Sequence, residues 1–245
     1  SGFSVSLSSD GNIVAIGANA NDGNGTNAGH VRIYNYNGST WNQMGQDIDG
    51  EAAINESGCS VSLSSDGNIV AIGAKRNDGN GIDAGHVRLY NFDGSNWTQL
   101  GNDIDGEAAY DRSGYSVSLS SDGNIVAIGS IENDGGGTNA GHVRVYQLNN
   151  SIWTQLGQDI DGVTHDQSGR SISLSADGSI LAIGSTENDV VPVGTGHVSI
   201  FNWDGFSWVQ LGQVIAGEAA GDESGWAVSL SDDGNTVAIG APSND

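Results

Sequence analysis

One unit repeated along the whole chain constrains the fold more than any other feature. A Ser-Gly-x opening followed by alternating small polar and apolar residues recurs at Ser1, Ser57, Ser113, Ser168 and Ser224. The spacing of about 56 residues is in the range where each repeat is one supersecondary unit that buries its apolar faces only against its neighbours. The chain therefore divides into four full copies, 1–56, 57–112, 113–167 and 168–223, and the first part of a fifth, 224–245.

Within the first copy, Ser4-Val5-Ser6-Leu7-Ser8 alternates with period two, predicting a half-buried strand with Val5 and Leu7 on one face and serines on the other. Ser9-Asp10-Gly11-Asn12 supplies turn chemistry. Ile13 to Ala18 follows as a continuous apolar run, the pattern of a strand buried on both faces. After a Gly/Asn-rich loop, His30-Val31-Arg32-Ile33-Tyr34 alternates again, and Asn37-Gly38-Ser39 turns into a fourth strand around Trp41. No segment has helical periodicity. The expected fold is all-β: a β-propeller of four-stranded antiparallel blades, about five in number when the partial copy is included. Trp41, Trp97, Trp153 and Trp208 occupy one repeat position and are the expected filler between blades.

Composition narrows the partners. Seven Lys plus Arg against thirty Asp plus Glu give a net charge of −23. Such a chain repels phosphate backbones and anionic membranes, so nucleic acid is excluded as a natural partner. The 39 glycines fall at fixed repeat positions and mark turns rather than low complexity. Cys59 is the single cysteine and takes a position held elsewhere by Phe3, Tyr115, Arg170 and Trp226, which excludes an internal disulfide and a thiol-based metal site. No apolar stretch is long enough to span a bilayer and no signal peptide is visible. The chain opens without Met, inside a repeat, the expectation being a processed product or part of a longer polypeptide.

The order Ser-Gly-x-Ser-Val-Ser-Leu-Ser, Asp-Gly-Asn, Val-Ala-Ile-Gly-Ala, Gly-His-Val-Arg-x-Tyr resembles the FG-GAP repeat of integrin-α-type β-propellers, and Val237 to Pro242 ends on the Gly-Ala-Pro of that name. The resemblance covers all five copies and implies a propeller that displays loops for adhesion or assembly. It departs at one point. Integrin-type blades can carry an Asp-x-Asp-x-Asp-Gly calcium loop between the first two strands, where this chain has only Ser-Ser-Asp-Gly-Asn. Family calcium ligands are therefore not carried over, and no cofactor is expected, with calcium the one candidate.

Candidate chemistry is repeated too. His30, His86, His142 and His197 share one position at the start of the third strand, which argues for a structural role, with the turn aspartates Asp10, Asp66, Asp122 and Asp177 as expected partners. Asp22, Asp78, Asp134 and Asp189 sit in oxygen-rich loops of a kind calcium favours, although turn formation also explains them. Asp47 to Glu51 and Asp103 to Glu107 read as exposed blade connections, degraded to Val214 to Glu218 in the fourth copy. Arg32, Arg88 and Arg144 share a strand position and are expected to pair with neighbouring acids. His165 and Asp166 stand out as a departure from the repeat. Candidate N-glycosylation acceptors, if the chain is secreted, are Asn24, Asn37, Asn55, Asn96 and Asn149.

The fifth copy holds only two strands, so its open edge invites strand addition from another chain or from the remainder of a longer one. Uniform repetition without a unique site sets the functional expectation. It is a non-catalytic structural or adhesive module, extracellular or on the cell surface and self-associating, with no catalytic residues, no assigned metal ligands and no membrane insertion. The alternative is a calcium-dependent module binding a glycan or a protein through loops on one face. A hydrolase or lyase ranks last, because it needs an asymmetric carboxylate or histidine cluster.

Overall fold

The computed structural model describes residues 1–187 and 194–244. The first copy forms β1 (Ser4–Leu7), β2 (Ile13–Ala18), β3 (His30–Tyr36), β4 (Trp41–Gln43) and β5 (Ile48–Asp49). These make one antiparallel sheet in the order β1-β2-β3-β4, with β5 also on β3. β4 pairs the far end of β3, Tyr34 to Tyr36, and β5 pairs its start, His30 and Val31, so the outer strand is one strand interrupted by a bend. Three further sheets repeat the plan, and a two-stranded sheet, Ala227–Leu230 with Val237–Gly240, follows. No helix occurs among the described residues, and none is long and apolar enough to cross a membrane.

Three apolar cores lie between successive sheets rather than within any one of them. Ala15, Val31, Ile33 and Ile48 of the first sheet pack against Val61, Leu63, Val70, Ile72 and Trp97 of the second. The same positions repeat between the second and third and between the third and fourth. Strand alternation explains the arrangement. In the run Ile69–Ala74, Val70 and Ile72 face the preceding sheet, while Ala71 faces the following one. The second strand of each sheet thus has a large-residue face and a small-residue face, and stability is collective.

The small face allows close approach. A Cβ on Gly17 would overlap the carbonyl oxygen of Gly58 in the next sheet, and Gly73, Gly129 and Gly184 stand in the same relation to Gly114, Gly169 and Gly225. The serines of the first strand use that proximity. The Oγ of Ser6 accepts a hydrogen bond from the amide of Leu63 at 2.9 Å, and Ser62, Ser118 and Ser173 do the same for Leu119, Leu174 and Leu230. The expected polar face of this strand is therefore a row of bonds to the next sheet. Leu7, Leu63, Leu119 and Leu174 converge on one cleft, which places the first strand of each sheet nearest the centre of the array.

The tryptophans fill the expected place. Trp97, Trp153 and Trp208 are buried, and each indole N–H donates to a carbonyl of the preceding sheet, Met44, Leu100 and Leu156 respectively. Trp41, with no sheet before it, is 48% exposed. Val14, Ile16, Tyr34 and Trp41 line an apolar cleft on that outer face.

Candidate functional site

Alternation along β3 puts His30, Arg32 and Tyr34 on the face toward the preceding sheet and Val31 and Ile33 on the other. Register then fixes the company of the histidine. His86 pairs across with Asp105, and Ile104 with Val87, which brings Asp103 and Asp105 beside His86 and Arg88. Glu51, from the connection leaving the first sheet, reaches the same place from across the seam.

The result is a compact polar cluster. Arg88 donates from Nε and Nη2 to Asp103 at 3.0 and 2.8 Å and also pairs with Glu51. His86 Nδ1 lies 4.0 Å from Glu51 Oε2, 3.9 Å from Asp103 Oδ2 and 4.0 Å from Asp105 Oδ1. The third sheet repeats it with Glu107, His142, Arg144, Asp159 and Asp161. The first sheet has His30, Arg32, Asp47 and Asp49, with no glutamate from a preceding sheet. Burial holds the imidazoles of His86 and His142 below their ordinary value of 6.5, against the pull of the carboxylates. Burial pushes Asp103 and Asp159 up, but hydrogen bonds from Arg88 and Gln99, and from Arg144 and Gln155, leave both below the ordinary carboxylate value.

The fourth sheet breaks the pattern completely. Glutamate becomes Val163, arginine becomes Ser199, the two aspartates become Val214 and Ala216, and the tyrosine becomes Phe201, while His197 stays. Removing these long side chains leaves a cleft of about 170 Å³ at the seam between the third and fourth sheets, lined by Asp161, Asp166, Ser185, His197, Ser199 and Gln210 among others. Burial lowers the His197 imidazole, and the Asp166 charge partly restores it. Asp166 Oδ2 also accepts from the amide of Val163 at 3.1 Å.

Several expectations change. The histidines do not face the turn aspartates; Asp10 accepts from Ser8 and Asn12 of its own turn, as Asp66, Asp122 and Asp177 do in theirs. The segments Asp47 to Glu51 and Asp103 to Glu107 supply the cluster's carboxylates rather than plain connections. A cross-seam constellation has no local sequence signature, although the joint loss of five residues, one at Val163 in the third copy and four in the fourth, is a readable signal. The arginines pair with neighbouring acids as expected. Asp22, Asp78 and Asp134 each accept a backbone N–H at 2.8 Å within their own loops, while Asp189 lies outside the described residues. Asp166 is a repeated position, equivalent to Asn55, Asp111 and Asp222, all of them buried. The departures there are Val163, Thr164 and the exposed His165, which replace the Glu-Ala-Ala stretch of the other copies.

The sequon asparagines fall in different settings. Asn37, Asn96 and Asn149 are exposed. Asn24 is exposed too, with its amide donating to Gly50 O at 2.7 Å. Asn55 is 5% exposed.

No family model matches the chain, and no curated protein matches it. Solved structures do. The periplasmic gluconolactonase of Pseudomonas aeruginosa aligns with TM-score 0.64 at 17% identity, over 96% of this chain and 64% of its own. Hydrazine synthase of Kuenenia stuttgartiensis gives TM-score 0.61 at 12% identity, over 97% and 61%. A Bacteroides uniformis protein provisionally described as a 6-phosphogluconolactonase gives TM-score 0.55 at 12% identity, over 97% and 77%. The chain thus spans under two thirds of the first two. At these identities the likeness shows the fold: an all-β array of propeller type. It does not name FG-GAP.

Two expectations are overturned. The expectations of a non-catalytic adhesive module and of no enzyme rest on every candidate group having repeat mates. Two of these structural neighbours carry lactonase names, and the cleft around His197 is a non-repeated polar site. The repeat hid that site because its distinguishing residues are losses, spread over three separate segments.

Proposed function

We propose that the chain is a hydrolase of propeller fold acting on a small sugar-derived lactone, with its centre in the cleft at the seam of the third and fourth sheets. The observation that carries this reading is the replacement of the ion-pair cluster there by a cleft that keeps a buried histidine beside a carboxylate. His197, neutral at neutral pH, takes a proton from water as that water attacks the lactone carbonyl carbon, with Asp166 stabilising the imidazolium. The tetrahedral intermediate expels the ring oxygen, which recovers the proton from His197 and gives the open hydroxy acid. Ser185, Ser199 and Gln210 offer the neutral hydrogen-bonding groups that polyol recognition needs, and the lactonase names of two fold neighbours favour this substrate class.

The exposed first-sheet face supports one further element. Its residues Val14, Ile16 and Trp41 are those that a preceding sheet covers in later copies, so we read this face as one that another sheet covers. A periplasmic or secreted location accords with the first neighbour.

The test is hydrolysis of glucono-1,5-lactone and related aldonolactones, followed by acid release above the spontaneous rate. The expected effect of His197→Gln is a loss of about 10²–10⁴-fold in kcat. Hydrolysis no faster than the spontaneous reaction, or His197→Gln equal to the unmodified chain, overturns the reading.

A further inference from the structure

We propose that the two intact seam clusters, Glu51–His86–Asp103–Asp105 and Glu107–His142–Asp159–Asp161, are binding sites for a divalent transition-metal ion of the zinc type, one ion at each seam.

Geometry comes first. In each cluster the histidine, one glutamate oxygen and one oxygen of the first aspartate, Asp103 or Asp159, lie within 4.8 Å of one another. His86 Nδ1 stands 3.9 to 4.0 Å from three carboxylate oxygens on three different side chains. His142 Nδ1 stands 3.9 Å from Glu107 and 3.8 Å from Asp161. Ligands of a tetrahedral zinc ion are separated by about 3.4 Å, so donors that lie within 4.8 Å of one another come onto one ion by closing movements of about 0.5 to 1.5 Å.

The second observation is independent of the acidic residues. His86 and His142 have side chains only 5% and 3% exposed, and the Nδ1 of each has no hydrogen-bond partner. A buried polar nitrogen left unsatisfied is costly and asks for a ligand. Both nitrogens point into their carboxylate sets at distances too long for a hydrogen bond and suited to a shared ion.

Charge supplies the third step. Each cluster sets three carboxylates against one guanidinium, Arg88 or Arg144, leaving two negative charges that one divalent cation neutralises. Asp105 and Asp161 are 46% and 44% exposed, which gives an ion a route in from solvent. The imidazole in the donor set favours zinc-type ions over calcium, which prefers six to eight oxygens. The first sheet, with two carboxylates, one guanidinium and no glutamate, binds more weakly, and the fourth, which has lost the glutamate and both strand aspartates, does not bind tightly.

The full chain, stripped with EDTA and re-equilibrated with Zn²⁺ or with Ca²⁺, is assayed by equilibrium dialysis with elemental analysis. The expected result is two tight Zn²⁺ ions per chain, a third at least tenfold weaker, and no tight Ca²⁺. His86→Ala and His142→Ala each remove one tight ion, and the double variant removes both. Asp105→Asn, at an exposed position that preserves the fold, weakens its own site at least tenfold and leaves the other unchanged, which keeps the test valid if a histidine variant misfolds. No tight Zn²⁺, a tight-ion count insensitive to these substitutions, or equal affinity for Ca²⁺ overturns the proposal. The readout is stoichiometry, so it stands or falls separately from lactone hydrolysis.

Discussion

Trp41 and Trp97 provide an internal comparison of what a neighbouring sheet contributes to stability. Both rings pack on an aromatic of their own sheet in nearly the same way: Tyr36–Trp41 at 5.2 Å and 40°, Phe92–Trp97 at 5.1 Å and 41°. They differ in what lies on the other side. Trp97 is 3% exposed, donates from Nε1 to Met44 O at 2.8 Å and joins the core between the first two sheets, whereas Trp41 is 48% exposed. Burying a tryptophan removes roughly 200 Å² from water, about 5 kcal/mol at 25 cal/mol per Å². Trp97→Ala is therefore expected to cost about 4 to 5 kcal/mol, including the carbonyl of Met44 left without its donor. Trp41→Ala keeps only the within-sheet share, about 2 kcal/mol. The assay is guanidinium unfolding of the full chain followed by far-ultraviolet circular dichroism, which does not depend on the tryptophan removed. The gap of about 2 to 3 kcal/mol corresponds to a midpoint difference of roughly half a molar. Equal midpoint shifts for the two variants would refute the view that stability resides in the seams.

Three further outcomes follow from the same geometry. Gly73→Ala is expected to destabilise by about 3 kcal/mol, because its Cβ meets the backbone carbonyl of Gly114, while Gly240→Ala, whose Cβ has nothing nearer than 3.5 Å, leaves the thermal midpoint within about 1 °C. Ile54 holds a β-branched side chain at φ 72°, where the fourth copy has Gly221, so Ile54→Gly is expected to raise stability by about 1 kcal/mol in the same unfolding assay. Acid should weaken the fold in two stages. His86 and His142 have lowered folded values, so the unfolded chain takes up protons first and stability falls as pH drops through 6.5. The carboxylates held low by the arginines and turns contribute stability above 3.8 that is lost as pH falls through their folded values, which reach about 2 for Asp10. Unfolding midpoints of metal-free protein against pH should show both stages, with His86→Gln/His142→Gln flattening the first; a single stage beginning below about pH 5 would contradict the assignment.

Sequence alone determined the strands, because period two in Ser4 to Ser8, the apolar run of Ile13 to Ala18 and the alternation of His30 to Tyr34 are local properties of adjacent residues. It also showed the arginines seeking acids and the tryptophans seeking a neighbour, since repetition marks positions that share one environment. What it did not determine is which residues meet across a seam. Glu51 and His86 are far apart in the chain and become neighbours only because Gly17 and its equivalents let the next sheet approach backbone to backbone. The same holds for the first-strand serines, which read only as the face opposite Val5 and Leu7 and turn out to bind amides of the next sheet. The cleft at His197 was least legible of all, because its lining residues Val163 and Ser199 lack the long charged side chains of the other copies, and a missing side chain defines a space only once the surrounding sheets are in place.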